Sequence, residues 1–386
     1  MNRATRHRLE RVLAALALSA TAPGQTVDAF AALRQTVVHA HAVWCHSAYR
    51  ECRDRAVQLR EAIGALLAAP GAATLSGARA AWQRARAAYC VTEAMRFQEG
   101  PIEALEPLLN AWPIDEAYID YVQGQPEAGI VHDRVRYPRI GETVLVLANE
   151  RGGEANVSVG WHAIEFLLWG QDLRADGAGD RPFTDYQLGV GADADRRREY
   201  LSCIVDLLVR QLDELVAAWA PDAANHRRRF EADPEAAVGR MLTGVTVLTA
   251  FELGGERLAV AFETQDQEQE HSCFSDTTCE DLVADQLGIV RVIAPDGDAK
   301  RDPGLLSLVA AVDVVLAREL QRKLLDTLAR LRAIPAPFDQ AMLGTDEAPG
   351  RRAMRAALDA LDEQAECLSI AGRRLGYELP LRPNGR

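Results

Sequence analysis

Long segments with a helical hydrophobic period constrain the fold of this chain most strongly. Apolar side chains recur every three or four positions over 26–68, where Pro70-Gly71 ends the pattern, and again over 76–98. Similar patterns cover 193–219, 234–265, 277–290, 303–333 and 352–376. No segment shows the convincing alternation of apolar and polar residues that is typical of a half-buried strand. The sequence therefore predicts an all-α fold.

The length of the chain, 386 residues, is typical of two domains rather than one. A stretch rich in Gly, Asp and Pro at 174–192 separates the helical patterns of the two halves. We therefore predict two helical bundles packed on each other, an N-terminal one over 26–173 and a C-terminal one over 190–386.

The first 22 residues have the composition of a signal peptide. Four arginines precede an apolar run at 12–20, and Ala20-Thr21-Ala22 supplies the small residues of a cleavage site. The run is too short to cross a bilayer, and we find no later apolar run that is long enough. We expect residues 1–22 to be removed. The mature protein should then be periplasmic without a transmembrane segment, and peripheral association with the outer membrane stays open.

The charge of the chain limits the classes of molecule that it can bind. The formal net charge is −13, and the arginines at 227–229 are followed closely by acidic residues, so nucleic acid is excluded for lack of a basic face.

The chain has seven cysteines, so at least one is unpaired within the chain. Cys45 and Cys52 are two helical turns, roughly 10 Å, apart and cannot bond each other. A local disulfide between Cys273 and Cys279 stays open.

A histidine and a glutamate interrupt the apolar segment SVGWHAIEFLLWGQD at 158–172. His162 and Glu165 are three positions apart, so they share one face of a helix. Burying ionisable groups among apolar side chains is costly unless they are paired or bound to a metal. An imidazole and a carboxylate suit zinc, iron, manganese or copper. A buried His–Glu hydrogen bond is the alternative, and two ligands alone do not complete a metal site.

The motif formed by Gly160, His162 and Glu165 resembles the GxHxxE signature of the imelysin-like proteins. Further blocks resemble that family in collinear order: HSAYRECRDRA at 46–56, AWQRARAAYCVTEAMRFQEGPI at 81–102, NAWPIDEAYIDYV at 110–122 and EHSCFSDTT at 270–278. The resemblance extends from about residue 26 to residue 376. It implies an exported bacterial protein of two helical bundles that is linked to iron uptake. Some members of the family have been described as insulin-cleaving metallopeptidases.

The resemblance also implies a set of site residues. We predict a metal ion, iron or zinc, or a small metal-containing ligand, near the interface of the two bundles. The predicted ligands are His162, Glu165, His46 and Glu93, and the other predicted site residues are Gly160, Tyr49, Arg96, Asp115 and His271. The family pattern has a histidine where this chain has Cys279. The chemistry of the second half is therefore altered here if that histidine is a ligand in relatives.

Simpler interpretations stay open for several of these residues. His46 could be a surface histidine or a satisfied core histidine. Glu93 and Arg96 could form an ordinary intrahelical ion pair. Asp115 could cap a helix that starts after Pro113.

Three classes of function are compatible with these observations. A zinc peptidase of the usual type needs HExxH or HxxEH, and neither motif occurs in the sequence. A structural or interaction module of the cell envelope leaves the burial of His162 and Glu165 unexplained. We therefore predict a binding protein of iron acquisition that serves an envelope iron-transport component, with a metallopeptidase and an envelope module as the alternatives.

Overall fold

The structure is a computed structural model that describes residues 23–174, 177–295 and 302–379. The signal peptide predicted for 1–22 lies outside these ranges. Within them the chain is helical, with turns and loops between helices, and an isolated bridge between Val122 and Gln125 is the one strand-like pairing. The predicted all-α fold is confirmed.

Two long helices begin the fold, α1 (Pro23–Ala68) and α2 (Ala72–Thr92). The next α-helices are α3 (Glu106–Leu109), α4 (Glu116–Ile119), α5 (Gly129–His132), α6 (Glu142–Ala148), α7 (Gly160–Trp169), α8 (Ala194–Ala218), α9 (His226–Ala232) and α10 (Pro234–Val247). The remaining ones are α11 (Val260–Thr264), α12 (Thr278–Ile293), α13 (Leu305–Val312), α14 (Val314–Leu331), α15 (Phe338–Met342) and α16 (Pro349–Leu375). Short 3₁₀ turns lie at Glu93–Met95, Pro101–Ala104, Phe183–Tyr186 and Gln267–Gln269.

The second helix ends six residues earlier than its sequence pattern predicts. After Thr92 the chain enters a 3₁₀ turn, and Phe97 and Glu99 then adopt positive φ values of 60° and 55°. A left-handed backbone cannot continue a right-handed helix, so the apolar residues after Thr92 lie in a loop. This early end turns Glu93 and Arg96 toward the interior, where both are buried.

One continuous core of buried apolar side chains extends from α1 to α16. Helix α1 packs against α2 and α8, α2 packs against α12, and α14 packs against α16. The first long helix of the second half, α8, thus covers helices of the first half. The division at 174–192 into two domains stays a prediction.

Residues 234–264 form one helix with a wide middle. Between α10 and α11 the segment Leu248–Ala259 is a π-helix, a rare geometry that often marks functional sites. By length and composition alone this helix could cross a membrane, contrary to our expectation that no apolar segment after residue 22 is long enough. However, 61% of its apolar window is buried inside the fold, as is usual for a core helix of a globular protein.

Candidate functional site

The helix that carries His162 and Glu165 is buried along its whole length. All ten residues of α7, Gly160–Trp169, are buried. Gly160 has a φ of +90°, and a Cβ built on it would lie 2.5 Å from the carbonyl oxygen of Leu109. The helix therefore starts at a position that only glycine fits without strain. Its end is fixed by Gly170, at a φ of +72°.

His162, Glu165 and Ser275 form a hydrogen-bonded chain inside the protein. Nδ1 of His162 lies 2.9 Å from Oε2 of Glu165. The other carboxylate oxygen, Oε1, accepts hydrogen bonds from the backbone N–H of Ser275 at 3.0 Å and from its hydroxyl at 2.6 Å. Both carboxylate oxygens are thus engaged. Nε2 of His162 is buried and has no hydrogen-bond partner.

The segment around His271 completes one side of this site. The rings of His271 and His162 meet edge to face with their centroids 4.7 Å apart. His271, one of the predicted site residues, therefore lies beside His162. Arg86 donates a hydrogen bond to Nδ1 of His271 at 3.2 Å, which uses the lone pair of that nitrogen and places the proton of a neutral ring on Nε2.

Arg86 organises the centre of the site with three contacts. Besides His271, its guanidinium donates to Oδ2 of Asp281 at 2.9 Å and to Oδ1 of Asn110. The amide of Asn110 then donates to Oε1 of Glu93 at 2.8 Å. Through this chain Glu93 belongs to the same buried polar network as His271.

Glu93 is held by positive charge rather than left free for a metal. Its Oε2 accepts hydrogen bonds from Arg257 and from Arg96, the latter at 3.2 Å. Arg257 also donates to Oδ2 of Asp285 at 2.7 Å. Arg257 and its partner Glu252 are both contributed by the π-helical segment. The ion pair between Glu93 and Arg96 that the sequence left open is thus present, although it lies beyond the end of α2 and within a larger buried network.

Burial determines the protonation of the two histidines. Burial, together with the charge of Arg86, lowers the pKa of His162 well below its usual range. Burial and the nearby Arg257 and Arg86 guanidinium groups do the same to the pKa of His271. Both rings are therefore neutral at physiological pH.

The pKa of Glu165 moves in the other direction. Burial raises it to about 8, against the opposing effect of the hydrogen bonds from Ser275. Nδ1 of His162 and Oε2 of Glu165 are joined by a hydrogen bond of ordinary length, whose donor is set by the tautomer of the imidazole.

The other predicted site residues occupy different surroundings. His46 is half-buried beside Arg50 and Arg227. The hydrogen bond and the ring contact of His162 are made with Glu165 and His271 instead. Tyr49 is fully buried with an unpartnered hydroxyl, and burial raises its pKa well above the usual range. Asp115 accepts a hydrogen bond from the N–H of Ala117 at 3.0 Å and caps α4, the alternative that the sequence left open.

No three of the four predicted ligands bring their ligand atoms within 4.8 Å of one another. Among the described residues, one set of His, Cys, Asp or Glu side chains meets that criterion, and it consists of Glu270, Asp276 and Asp339. Two of the predicted ligands are also engaged by other groups, since Glu93 accepts hydrogen bonds from arginines and Glu165 accepts them from Ser275. His162 keeps a buried nitrogen without a hydrogen-bond partner.

Hydrolysis by a serine nucleophile does not fit the arrangement either. Such a mechanism needs the hydroxyl bonded to the imidazole that removes its proton. Here the hydroxyl of Ser275 donates to Glu165, and the imidazole contacts the other oxygen of that carboxylate.

The cysteines contribute no disulfide. All seven are free thiols, including Cys273 and Cys279, for which the sequence left a local disulfide open. Burial raises the pKa of the Cys279 thiol to about 12, so it is protonated at physiological pH.

Sequence reasoning missed several members of this network. Arg86, Asn110 and Ser275 lie inside the blocks that resemble the imelysin-like proteins, so those blocks contained a signal for them. Arg257 and Asp285 lie in ordinary helical patterns. Nothing in their local sequence distinguishes them from solvent-exposed charged residues.

Comparison with known proteins supports the resemblance noted in the sequence. The family model described as Imelysin matches residues 45–368. A curated protein from Synechococcus elongatus, named Iron-regulated protein A, is 25% identical over 295 residues, which cover 74% of this chain and 71% of that protein. A solved structure from Parabacteroides distasonis, provisionally named iron-regulated protein A precursor, superposes with a TM-score of 0.68. The superposition covers 89% of this chain and 95% of the Parabacteroides chain. The sequences are 15% identical, so the similarity is one of fold.

Proposed function

This chain belongs to the imelysin family, and from that premise we propose that it is an iron-related protein that binds a metal-containing ligand through Nε2 of His162. The family match and the iron-regulated relative support the general class. The site and its ligand are our proposal.

One observation carries the proposal: His162 has one nitrogen fixed by a carboxylate and the other buried without a partner. Metal-binding histidines usually donate their second N–H to a carboxylate, which sets the tautomer and the orientation of the ring. Glu165 can accept this hydrogen bond from Nδ1 of His162, and Ser275 orients the carboxylate by donating two hydrogen bonds to its other oxygen. A buried polar nitrogen without a partner is otherwise costly.

The surroundings favour a metal that arrives with ligands of its own over a bare ion. His162 supplies one nitrogen, whereas Arg86 occupies Nδ1 of His271 and arginines hold the Oε2 of Glu93. The protein cannot complete a four-ligand shell from the predicted residues. An anionic chelate would supply the missing donors, and the guanidinium of Arg86 beside His271 would stabilise its charge.

A matched pair of histidine variants tests this proposal. His162→Ala and His41→Ala each remove one buried histidine that has one bonded and one unpartnered nitrogen. We expect the wild-type protein to bind ferric citrate or ferric nitrilotriacetate, as measured by iron content after gel filtration. His41→Ala should retain this binding. His162→Ala should lose it, and Glu165→Gln should weaken it by about 10- to 100-fold.

Equal iron content in His162→Ala and His41→Ala would refute the site. The metallopeptidase alternative has its own readout in the same preparations. Chelator-sensitive cleavage of an unfolded protein by the wild type, absent from His162→Ala, would show that the protein is a metallopeptidase rather than a binding protein.

We also propose export to the periplasm, with an envelope iron-transport component as partner. The motivation is the composition of residues 1–22. Cell fractionation tests it directly. The full chain should accumulate in the periplasmic fraction in a shortened form, whereas a chain without residues 1–22 should stay in the cytoplasm. A full-length product in the cytoplasm would contradict export.

A further inference from the structure

A cluster of acidic side chains includes residues of the segment that supplies His271 and Ser275. Glu270 and Asp276 belong to this segment, and Asp339 comes from the short helix α15. One carboxylate oxygen from each of the three lies within 4.8 Å of the others. Glu270 is fully buried, Asp339 is buried, and Asp276 is partly exposed. Three acidic groups therefore converge from two segments about 60 residues apart.

Glu270 is the unusual member of this set. Its side chain has no exposed surface, yet neither carboxylate oxygen is in hydrogen-bonding geometry with a donor. Burial raises the pKa of Glu270 well above its usual range, and the nearby hydroxyl of Thr278 opposes this rise. That hydroxyl also accepts a hydrogen bond from the N–H of Ser272 at 2.9 Å. Oδ1 of Asp276 is likewise buried without a partner. A buried carboxylate without a partner is costly, and it is stabilised when it coordinates a metal.

The charges around the set increase the demand for a cation. Asp172 and Glu280 lie near Asp276 and add negative charge, whereas Arg174 adds an opposing positive charge. Asp339 keeps coordinating capacity, because its oxygens each accept one hydrogen bond from Gln340, at 2.6 Å and 2.9 Å, and a carboxylate oxygen has a second lone pair.

We propose that Glu270, Asp276 and Asp339 bind a hard cation of charge two or three. The donor set consists of oxygens alone, which selects Ca²⁺, Mn²⁺ or a trivalent ion and disfavours the softer metals that prefer nitrogen and sulfur. Water can complete the coordination shell on the side where Asp276 reaches the surface. This site is distinct from the one proposed at His162, and it does not depend on that proposal.

The position of the site gives it a structural consequence. Glu270 directly precedes His271, and Asp276 directly follows Ser275. A cation that joins both residues to Asp339 fixes the two ends of the loop that contacts His162 and Glu165. Binding should therefore stabilise the folded protein, because the unfolded chain does not bring the three carboxylates together.

The test uses the full-length mature protein, stripped with a chelator and then titrated with CaCl₂, MnCl₂ or TbCl₃. We expect one equivalent of at least one of these ions to bind per chain in calorimetry, together with a rise in the thermal unfolding temperature. Asp339→Asn and Glu270→Gln should each weaken binding at least tenfold. Glu263→Gln, which removes an exposed carboxylate from the neighbouring α11, should bind like the wild type.

Two measurements separate the possible causes of failure. Without metal, Asp339→Asn should unfold at the same temperature as the wild type or higher, because it removes one acidic group from a crowded acidic cluster. His162→Ala should still bind one equivalent, so failure of the His162 proposal leaves this one standing. Absence of stoichiometric binding of all three ions at millimolar concentration would overturn the site, as would equal binding by Asp339→Asn.

Discussion

Replacement of Gly160 by alanine should destabilise the protein and displace the His162 helix. The φ of +90° at this position is one that L-residues rarely adopt. The new Cβ would lie 2.5 Å from the carbonyl oxygen of Leu109 and 2.8 Å from its carbonyl carbon. An ordinary contact begins at 3.4 Å, so the start of α7 or the backbone at Leu109 must move by almost 1 Å.

The magnitude follows from two costs and one small gain. A left-handed backbone costs an alanine about 1–2 kcal/mol, and overpacking against backbone costs about 1–3 kcal/mol more. Loss of glycine's freedom in the unfolded chain returns about 0.4–1 kcal/mol. We therefore expect the free energy of unfolding to fall by about 1–5 kcal/mol.

Urea unfolding followed by tryptophan fluorescence measures this change, since Trp82, Trp161 and Trp169 are all buried around α7. Gly64→Ala is the matched control. Gly64 lies inside α1, and no atom lies within 4 Å of the position of its new Cβ. This control should gain about 0.5–1 kcal/mol, because alanine is the better helix former. A loss below about 0.5 kcal/mol in Gly160→Ala would refute the steric argument.

Two further substitutions probe the buried charges elsewhere. Asp120→Asn should cost about 3–5 kcal/mol in urea unfolding, because it leaves Arg181 and Arg197 buried without their carboxylate. Asp206→Asn, which breaks a half-exposed pair with Arg60, should cost under about 1 kcal/mol, and equal losses in the two would contradict the reasoning. Burial lowers the pKa of His41 in the folded protein to about 3. Below pH 6.5 the unfolded chain therefore binds a proton at His41 that the folded chain does not bind, and the free energy of unfolding falls as the pH is lowered toward 3. His41→Ala should make the pH dependence of the unfolding free energy shallower by about 1.4 kcal/mol per pH unit near pH 5, and an unchanged slope there would show that His41 is accessible to protons in the folded state.

The all-α class was predictable because helical periodicity is a local property. The apolar spacing from 26 to 68 and the Pro70-Gly71 pair place the end of α1 within two residues of where it lies. The pairing of His162 with Glu165 was predictable for the same reason, since residues three apart on a helix must be neighbours. The early end of α2 was not predictable from its apolar pattern, because Met95 and Phe97 continue that pattern into a loop.

The identity of buried partners that are distant in the sequence was decided by the tertiary structure alone. Glu165 accepts from Ser275, 110 residues away, Arg257 donates to Glu93 over 164 residues, and Arg86 donates to Asp281 over 195 residues. Sequence spacing determines which residues are neighbours within one helix, but the packing of helices determines which charged groups meet between them. The sequence therefore identified His162 and Glu165 as special. Only the folded chain assigned Glu93 to arginines, kept His46 out of the contacts around His162 and brought Glu270, Asp276 and Asp339 together.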